Sequence, residues 1–549
     1  MNLETLLREL DSAEVDLSGR LERVRLSANA IWAHQRLVWF TDHTSTRHSR
    51  RIIQLLGELL DRLQGTDQAL HRSELFVLLT AAYVHDIGMQ DFRIGDRGPE
   101  TFAIDDYELI RDRHPARAKD LIVQRVLRID PERGDFRIDL DDRLEYLLPI
   151  ALVSQGHGSA FFESTLDEFN RADYAPENHP LRGALLTALL LMADELDLHE
   201  DRALFPQEMA QSPLVSLHHH VNHYVTRVSV RAGTPPRRRV MQISFSFPPG
   251  SASYQAEVRS FVVDKLARQA RRVNPVLVGE TAGELEIDPR AGVRETTESI
   301  AHARRPLPDS ALRELRERTA RHALIGRSRF VEDVLAWFAD VTHVRWEIEA
   351  PEGGDLPLIL RWLEAAATSS AAGWLHFNFA VAVGTEPEDI LRRVSDEVAG
   401  VARDAVDDEG TATASSDPLV APSGTMAEIL ALRAKPTICV FEAIDELEEQ
   451  TLVWLRSELE SAEGSAIPSL IIVTRRDSAP FAPGAKVIAL GNIEVDAIVE
   501  HLSSEFGYWT ESARRQAEEM IALSDGVPSR LHVAFAVRRL ENFELVGNE

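Results

Sequence analysis

Histidine and aspartate side chains recur through the first 200 residues of the chain. Imidazole and carboxylate groups from several helices can together hold one or two divalent metal ions with an open coordination position. A metal held in this way turns water into a nucleophile at neutral pH. The residue types therefore predict a hydrolytic metal centre, and its candidates, each at the end or on the face of a predicted helix, are His48, His85, Asp86, His114, His157 and Asp194.

Two helices are predicted to position the first of these residues. Apolar residues recur with helical spacing over 52–63, which predicts an amphipathic helix with His48 in its first turn. The next segment is apolar on all sides, as expected of a helix inside a bundle. It ends in His85 and Asp86, with Gly88 as the predicted helix terminator. A charged aspartate at the end of such a helix is costly unless it is paired or bound to metal.

The order of these residues resembles the HD superfamily of metal-dependent phosphohydrolases. The matching parts are HSRRI at 48–52, VHDIG at 84–88, and Asp194 near the end of a later apolar helix. The resemblance implies an all-helical domain and one metal bound by His48, His85, Asp86 and Asp194, with Asp86 as the bridge to a second metal where one exists.

Two further histidines fit the members of the superfamily that bind two metals. His114 is predicted to open a helix, since Pro115 suits the first helical turn, and His157 follows another apolar helix. The alternative for both is a capping or loop position without a metal. The sequence does not distinguish one ion from two, nor Mn, Fe, Ni, Co, Mg and Zn.

The chain departs from the superfamily pattern shortly after the HD pair. Many of its enzymes carry a lysine there, whereas this chain has Met89. A cation that contacts the substrate phosphate is then either missing or supplied from elsewhere, with Arg50, Arg51 and Arg117 as candidates.

Composition limits the class of protein. A length of 549 residues predicts several domains. The single cysteine, Cys439, excludes an intramolecular disulfide and, with no secretory signal and no apolar run of transmembrane length, favours a cytoplasmic protein without membrane contact. The net charge of −28 makes nucleic acid a possible but less favoured partner.

A change of periodicity near residue 213 predicts a small α+β extension. Two alternating segments up to about residue 250 are predicted to pair as strands, followed by a helix over 255–272. This order resembles an extension behind HD domains in a subgroup associated with bacterial conflict and defence systems. In a strand, His218 and His220 would share one face and His219 the other, which favours an ordinary polar face over a metal site.

The C-terminal half resembles the AAA-related and STAND-type P-loop NTPases. The supporting pieces are the phrase IGR at 325–327, a strand, glycine turn and helix over 343–363, a buried strand ending in acids over 435–447, and a buried strand ending in Arg475. Strands that alternate with helices predict a parallel sheet.

The nucleotide site of this half departs from the family pattern. A P-loop needs lysine for the phosphates and a hydroxyl for Mg²⁺, but Asp355 and Leu356 stand in those places. Glu442 replaces the first acid of the Walker B strand. We therefore expect the fold without ATP hydrolysis, and a role in regulation through a protein partner or self-association.

Together these features predict a multidomain chain. The predicted parts are an all-α HD-type bundle over 1–205, an α+β extension over 206–280, a linker over 281–310, a degenerate α/β P-loop-like domain over 311–490 and its helical tail over 491–549. The leading expectation is hydrolysis of a nucleotide or cyclic-nucleotide phosphoester with one or two divalent ions. The resemblance to architectures of bacterial defence systems implies a role in antiviral defence. The alternatives are a non-catalytic signalling or scaffold protein with a structural metal site, and an HD-type single-stranded nuclease.

Overall fold

The computed structural model divides the chain into two compact units. The N-terminal unit contains residues 1–307 with 506–509 and 538–549, and the C-terminal unit contains 308–505 and 510–537. Among the described helices, none combines the length and apolar character that crossing a membrane requires. The structure describes residues 1–11, 15–33, 45–91, 102, 104–124, 126–130, 134–137, 144–202, 217–233, 238–297, 307–321, 324–339, 344–349, 354–370, 372–379, 387, 390–392, 394–395, 425–426, 428, 436–461, 469–475, 481, 485–524, 527–528, 531, 535 and 543–545.

Helices dominate the N-terminal unit. Helix α4 is buried at every residue from Ser73 to Val84, and α8 is buried along most of its length, as their apolar sequences predict for central helices of a bundle. The helices of the bundle are α1 (Leu3–Leu10), α2 (Leu17–Ala33), α3 (Arg50–Leu60), α4 (Arg72–Val84), α5 (Ile104–Gln124), α6 (Leu144–Gly156), α7 (Phe162–Arg171) and α8 (Gly183–Leu196).

A buried ion pair joins the beginnings of the two central helices. Glu74 closes a capping box with His71 at the start of α4. The guanidinium of Arg182, the residue before α8, donates to both carboxylate oxygens of Glu74 at 2.9 and 2.8 Å. Burial raises the pKa of Glu74, but the hydrogen bonds and charge of Arg182 outweigh it and hold that pKa below its ordinary value.

A short hairpin interrupts the helices. Strands β1 (Val126–Asp130) and β2 (Gly134–Arg137) pair antiparallel between α5 and α6. The prediction of an all-α region over 1–205 is therefore wrong at this point. The alternating residues of Val126–Asp130 carry a strand signal that the helical segments on either side obscured.

A four-stranded mixed sheet follows the bundle. Its order is β11-β5-β4-β3, where β3 (Val225–Ala232) and β4 (Arg238–Phe247) are antiparallel and β5 (Glu286–Thr297) runs parallel to β4 and to β11 (Phe543–Leu545). Helix α10 (Gln255–Glu280) connects β4 to β5, and it is longer than predicted.

Two predictions for this extension are wrong. Residues 217–222, including His218, His219 and His220, form a short helix, α9 (Leu217–Asn222), and not a strand. The predicted linker over 281–310 contains β5, which extends the sheet of the extension beyond residue 280. Strand β5 has few large apolar residues and its pairing with β4 is non-local, so local sequence patterns do not indicate it.

A parallel sheet forms the core of the C-terminal unit, as the alternation of strands and helices predicts. Its order is β10-β6-β9-β8-β7, with every neighbouring pair parallel. The central strands are buried on both faces, which explains their continuous apolar sequences. The strands are β6 (Val344–Glu349), β7 (Gly373–Asn378), β8 (Thr437–Glu442), β9 (Ser469–Arg475) and β10 (Lys486–Ala489), and the helices are α11 (Asp309–Arg321), α12 (Ser328–Ala339), α13 (Leu356–Ser369), α14 (Glu449–Ser461), α15 (Val495–Phe506) and α16 (Thr510–Ser524).

Some sequence features lie outside the described residues. These are most of the polar connection after the HD pair, at 92–101, the beginning of the glycine turn, at 350–353, and the polar segment 407–424.

Candidate metal centre

His48 enters the centre from an unusual turn. It lies in a π-helical turn over Ser45–Ser49 that leads directly into α3, and its side chain is fully buried. The sequence predicted the first turn of an ordinary α-helix here. Single π-helical turns are frequent at functional sites because they change the direction of a side chain relative to the helix.

The HD pair follows the last residue of α4. His85 caps that helix, and Asp86 precedes a 3-10 turn over Ile87–Gln90. Gly88 lies inside this turn and does not terminate α4, contrary to the prediction. A Cβ atom at Gly88 would stand 2.1 Å from the backbone oxygen of His114, so glycine lets α5 approach the HD pair closely.

His114 lies in the middle of α5 and does not open a helix, contrary to the prediction. Pro115 stands inside the same helix and has no N–H to donate to the carbonyl four residues earlier, which belongs to Arg111. The Arg111 carbonyl instead contacts Nδ1 of His114. The proline thus frees an acceptor that orients the histidine.

Four side chains converge in a first group of possible ligands. Nε2 of His48 lies 3.2 Å from Nε2 of His85, 3.1 Å from Oδ2 of Asp86 and 3.2 Å from Oδ1 of Asp194. Nε2 of His85 lies 3.2 Å from Oδ2 of Asp86 and 3.9 Å from Oδ1 of Asp194. These atoms come from the π-helical turn before α3, the two residues that follow α4, and the last turn of α8.

A second group shares Asp86 with the first. Its other oxygen, Oδ1, lies 3.1 Å from Nε2 of His114 and 3.6 Å from Nε2 of His157. The two imidazoles lie 2.9 Å apart between their Nε2 atoms. One carboxylate therefore faces two sets of histidines, each through a different oxygen.

All four histidines present the same ring nitrogen to the cluster. Their Nδ1 atoms contact groups outside it: Oδ2 of Asp197 at 2.6 Å for His48, and backbone carbonyls of Ala82, Arg111 and Ser154 for the other three. A hydrogen bond at Nδ1 keeps the proton there and leaves the lone pair of Nε2 for a metal.

The separations fit a bound ion. Ligand atoms about 2.1 Å from a common ion lie about 3.0–3.4 Å apart in octahedral or tetrahedral arrangements. The side chains form three overlapping groups that could hold a metal: His48, His85 and Asp86; His85, His157 and Asp194; and Asp86, His114 and His157. Imidazole and carboxylate donors suit the divalent ions of the first transition series.

Electrostatics in the cluster favour positive charge. Burial and the guanidinium of Arg202 lower the pKa of His48, but the carboxylates of Asp194, Asp197 and Asp86 raise it well above its ordinary value. Burial raises the pKa of Asp194, whereas its hydrogen bond to His48 and the neighbouring histidines hold it well below the usual range. The buried carboxylates thus attract cations, whether protons or metal ions.

Asp197 orients the first ligand and was missed in the sequence. Burial raises its pKa, but the hydrogen bond to His48 and the nearby arginines lower it to about 2. Asp197 follows Asp194 by three residues, close to one helical turn, and that spacing is a signal in the sequence.

The three arginines suggested for substrate binding lie elsewhere. Nε of Arg51 donates to Oδ1 of Asp197 at 2.5 Å, so its charge supports the orientation of His48. Arg117 contacts Asp91, with 3.5 Å between the guanidinium and the carboxylate. Arg50 lines a different cavity, bounded by the N-terminal residues and α2. None of the three lines the cavity at the cluster.

The family comparison agrees with this geometry. The family model described as HD-CE matches residues 39–241. This range contains every residue of the cluster, and the match and the cluster together fit an HD-type domain. No curated protein and no solved structure matches the chain. An HD-type domain with a potential metal site indicates a metal-dependent hydrolase.

Proposed function

We propose that the N-terminal unit is a phosphohydrolase or phosphodiesterase that acts on a nucleotide-type phosphoester with two divalent ions. The observation that carries the proposal is the placement of Asp86, whose two oxygens face separate sets of histidines at 3.1 to 3.6 Å. A bridging carboxylate of this kind suits two ions about 3.5–4 Å apart, the spacing common to phosphoester-cleaving enzymes.

The bound ions would supply a water nucleophile at neutral pH and offset the charge that develops on phosphorus oxygens. The protein holds the donors in place before they bind. The carboxylate of Asp197 fixes the ring of His48, and three backbone carbonyls fix the rings of His85, His114 and His157. Preorganised donors of this kind need little rearrangement when an ion or a substrate arrives.

The test is metal analysis of the purified protein together with a hydrolysis screen. Samples loaded with Mn²⁺, Ni²⁺, Co²⁺ or Mg²⁺ would be tested on nucleoside and deoxynucleoside triphosphates, cyclic nucleotides and single-stranded DNA. We expect turnover of a nucleotide phosphoester that Asp86→Ala abolishes while the helical circular dichroism stays unchanged. A metal-loaded protein that hydrolyses none of these would contradict the proposal and favour a structural metal site.

We propose further that the C-terminal unit is a P-loop-like domain without ATP hydrolysis. Asp355, at the position of the P-loop lysine, is buried and accepts two hydrogen bonds from Arg327, at 2.9 and 3.1 Å. Arg327 belongs to the IGR phrase, and it also donates to the backbone oxygen of Gly491 at 3.0 Å. A guanidinium that would suit a phosphate is bound to a carboxylate of the same chain.

Two other side chains at the positions of the nucleotide site are also paired with side chains of the same unit. Glu442, at the end of β8, accepts from the side chains of His376 at 2.7 Å and Asn378 at 2.9 Å. Arg475, at the end of β9, is buried beside Glu347 of β6, with 3.3 Å between Nε and Oε2. These internal contacts support a domain without a working nucleotide site, and we propose that it instead acts through protein contacts and regulates the N-terminal unit.

A further inference from the structure

A cavity of about 290 Å³ extends from the metal cluster. Asp86, His114 and Asp194 contribute to its wall. The remainder of the wall includes side chains of α9 and α10, notably Asn222 and Lys265. Substrate atoms beyond the reacting phosphoester would occupy this space.

Helix α10 comes after the residues matched by the family model in the sequence. Its side chains nevertheless contact Glu195, the neighbour of the cluster residue Asp194. The ammonium of Lys265 lies 2.7 Å from Oε2 of Glu195, the residue after Asp194. The amide of Gln269 donates to Oε1 of Glu195 and to the hydroxyl of Ser159, both at 3.0 Å. The extension therefore forms part of the site wall and does not lie apart from it.

Lys265 has capacity for an anionic ligand. A lysine ammonium has three hydrogens to donate, and Glu195 accepts one of them. Arg111 lines the same cavity from α5, one turn before His114. A guanidinium and an ammonium in one cavity are the side chains that recognise phosphate.

Asn222 provides a separate sign of a ligand. It is the last residue of α9, it lines the cavity, and the residue is 6% exposed. Its amide oxygen has no hydrogen-bond partner among the described residues. Buried polar atoms are paired in nearly all native proteins, so this oxygen needs a donor that the described residues do not supply.

We propose that Lys265 and Arg111 bind a second phosphate of the substrate, and that Asn222 accepts a hydrogen bond from its sugar or base. The inference rests on the proposed function, and it narrows the substrate class to nucleotides with at least two phosphates. The extension after the bundle is then a specificity element of the hydrolase.

The test compares nucleotides that differ by one phosphate. Calorimetry on the full chain, with free Mn²⁺ held constant, measures the dissociation constants of AMP, ADP and adenosine 3′,5′-bisphosphate. We expect one of the two-phosphate nucleotides to bind about 10-fold more tightly than AMP. Lys265→Met should remove this preference, and Lys265→Arg should retain it. Asn222→Ala should weaken all three nucleotides by a similar factor.

Gln269→Ala is the matched control, because Gln269 shares Glu195 with Lys265 but does not line the cavity. Gln269→Ala should leave the preference unchanged. Both Gln269→Ala and Lys265→Met should keep the metal content of the wild type. Equal affinity of the wild type for the three nucleotides, or loss of the preference in Gln269→Ala, would overturn the inference even if the protein hydrolyses phosphoesters. Preferential binding without hydrolysis of any phosphoester would instead overturn the proposed function and leave the second-phosphate site standing.

Discussion

At the scale of single residues, the centre depends on how each donor atom is oriented. Asp86 presents a different oxygen to each histidine pair, and each imidazole is held through Nδ1. The orientation of the His114 ring depends on Pro115. Because proline has no N–H, the Arg111 carbonyl remains available to accept a hydrogen bond from Nδ1 of His114. Such contacts beyond the ligands themselves tune metal affinity, typically by about 10–100-fold.

Removal of one histidine from the second group tests the count of ions. We expect about two metal ions per chain in the wild type and about one in His157→Ala, because the first group keeps its own histidines. Elemental analysis after gel filtration measures the stoichiometry. His376→Ala, a histidine on β7 of the C-terminal unit, serves as the control and should leave the count unchanged. A stoichiometry near one that His157→Ala does not alter would contradict the two-ion assignment.

Glu74 gives the bundle a pH dependence of stability. Its pKa lies below the ordinary value of 4.5 in the folded protein, so its ion pair stabilises the fold above pH 4.5, and this contribution is lost as the pH falls through the folded-state pKa. Glu74→Gln should lower the free energy of unfolding at neutral pH by about 3 kcal/mol. The difference between wild type and variant should shrink in acid.

Urea unfolding followed by circular dichroism at several pH values measures this difference. Glu168→Gln is the control, because the ion pair of Glu168 with Lys119 is more exposed and contributes about 1 kcal/mol or less. A constant difference between wild type and Glu74→Gln at all pH values would refute the assignment.

At the scale of elements, the boundary of the extension decides what can fold. Strand β5 carries the buried residues Leu285, Ile287 and Val293 on or beside it and pairs with β4 along its length. The side chain of Asn274 on α10 bonds both the N–H and the carbonyl of Ile287, at 2.9 and 2.7 Å. The sheet is therefore incomplete without residues after 280.

Two truncations test this boundary. A fragment of residues 1–280 loses β5 and exposes the edge of β4, so it should aggregate, whereas a fragment of residues 1–307 should remain more soluble. The soluble yield and the circular dichroism of both fragments, purified in parallel, measure the difference. Equal yield and equal thermal stability would show that β5 contributes little to the fold.

At the scale of the whole molecule, the two units differ in how their charged groups are used. In the N-terminal unit, carboxylates converge with histidines at the ligand positions of Asp86 and Asp194, and attract cations. In the C-terminal unit, the buried carboxylate of Asp355, at the position of the P-loop lysine, is paired with the guanidinium of Arg327. The first arrangement suits a reaction centre, and the second suits a stable scaffold.

Nucleotide binding tests this difference. We expect the full chain to bind Mg-ATP at the C-terminal unit with a dissociation constant weaker than about 1 mM. Asp355→Lys alone should not create an ATPase, because Leu356 offers no hydroxyl for Mg²⁺ and His376 holds Glu442. It should destabilise the unit, since it places a buried positive charge beside Arg327. Asp333→Asn, in an exposed pair with Lys486, is the neutral control.

Calorimetry and phosphate release measure these outcomes. The cluster variant Asp86→Ala should serve as the background for both, so that hydrolysis by the N-terminal unit does not mask the result. Micromolar affinity for ATP in that background would show that the C-terminal unit retains a working nucleotide site.

The sequence by itself determined the local elements. The helical spacing over 52–63, the apolar helix before His85 and the alternation of strands and helices after residue 343 are short-range patterns that few other folds satisfy. The parallel sheet follows from the continuous apolar strands, since both of their faces must be buried. The order of histidines and aspartates, through its resemblance to the HD superfamily, also predicted that His48, His85, Asp86 and Asp194 share one site.

Only the tertiary structure decided the contacts between distant elements. Asp197 reaches His48 across 149 residues, and Lys265 reaches Glu195 from a helix outside the predicted bundle. Arg51 pairs with Asp197 because the packing of α3 against α8 brings them together. Sequence patterns show which face of an element is apolar. The partner of a polar side chain depends on three-dimensional packing, because many side chains of the same chemical type could pair with it and only packing brings one of them close.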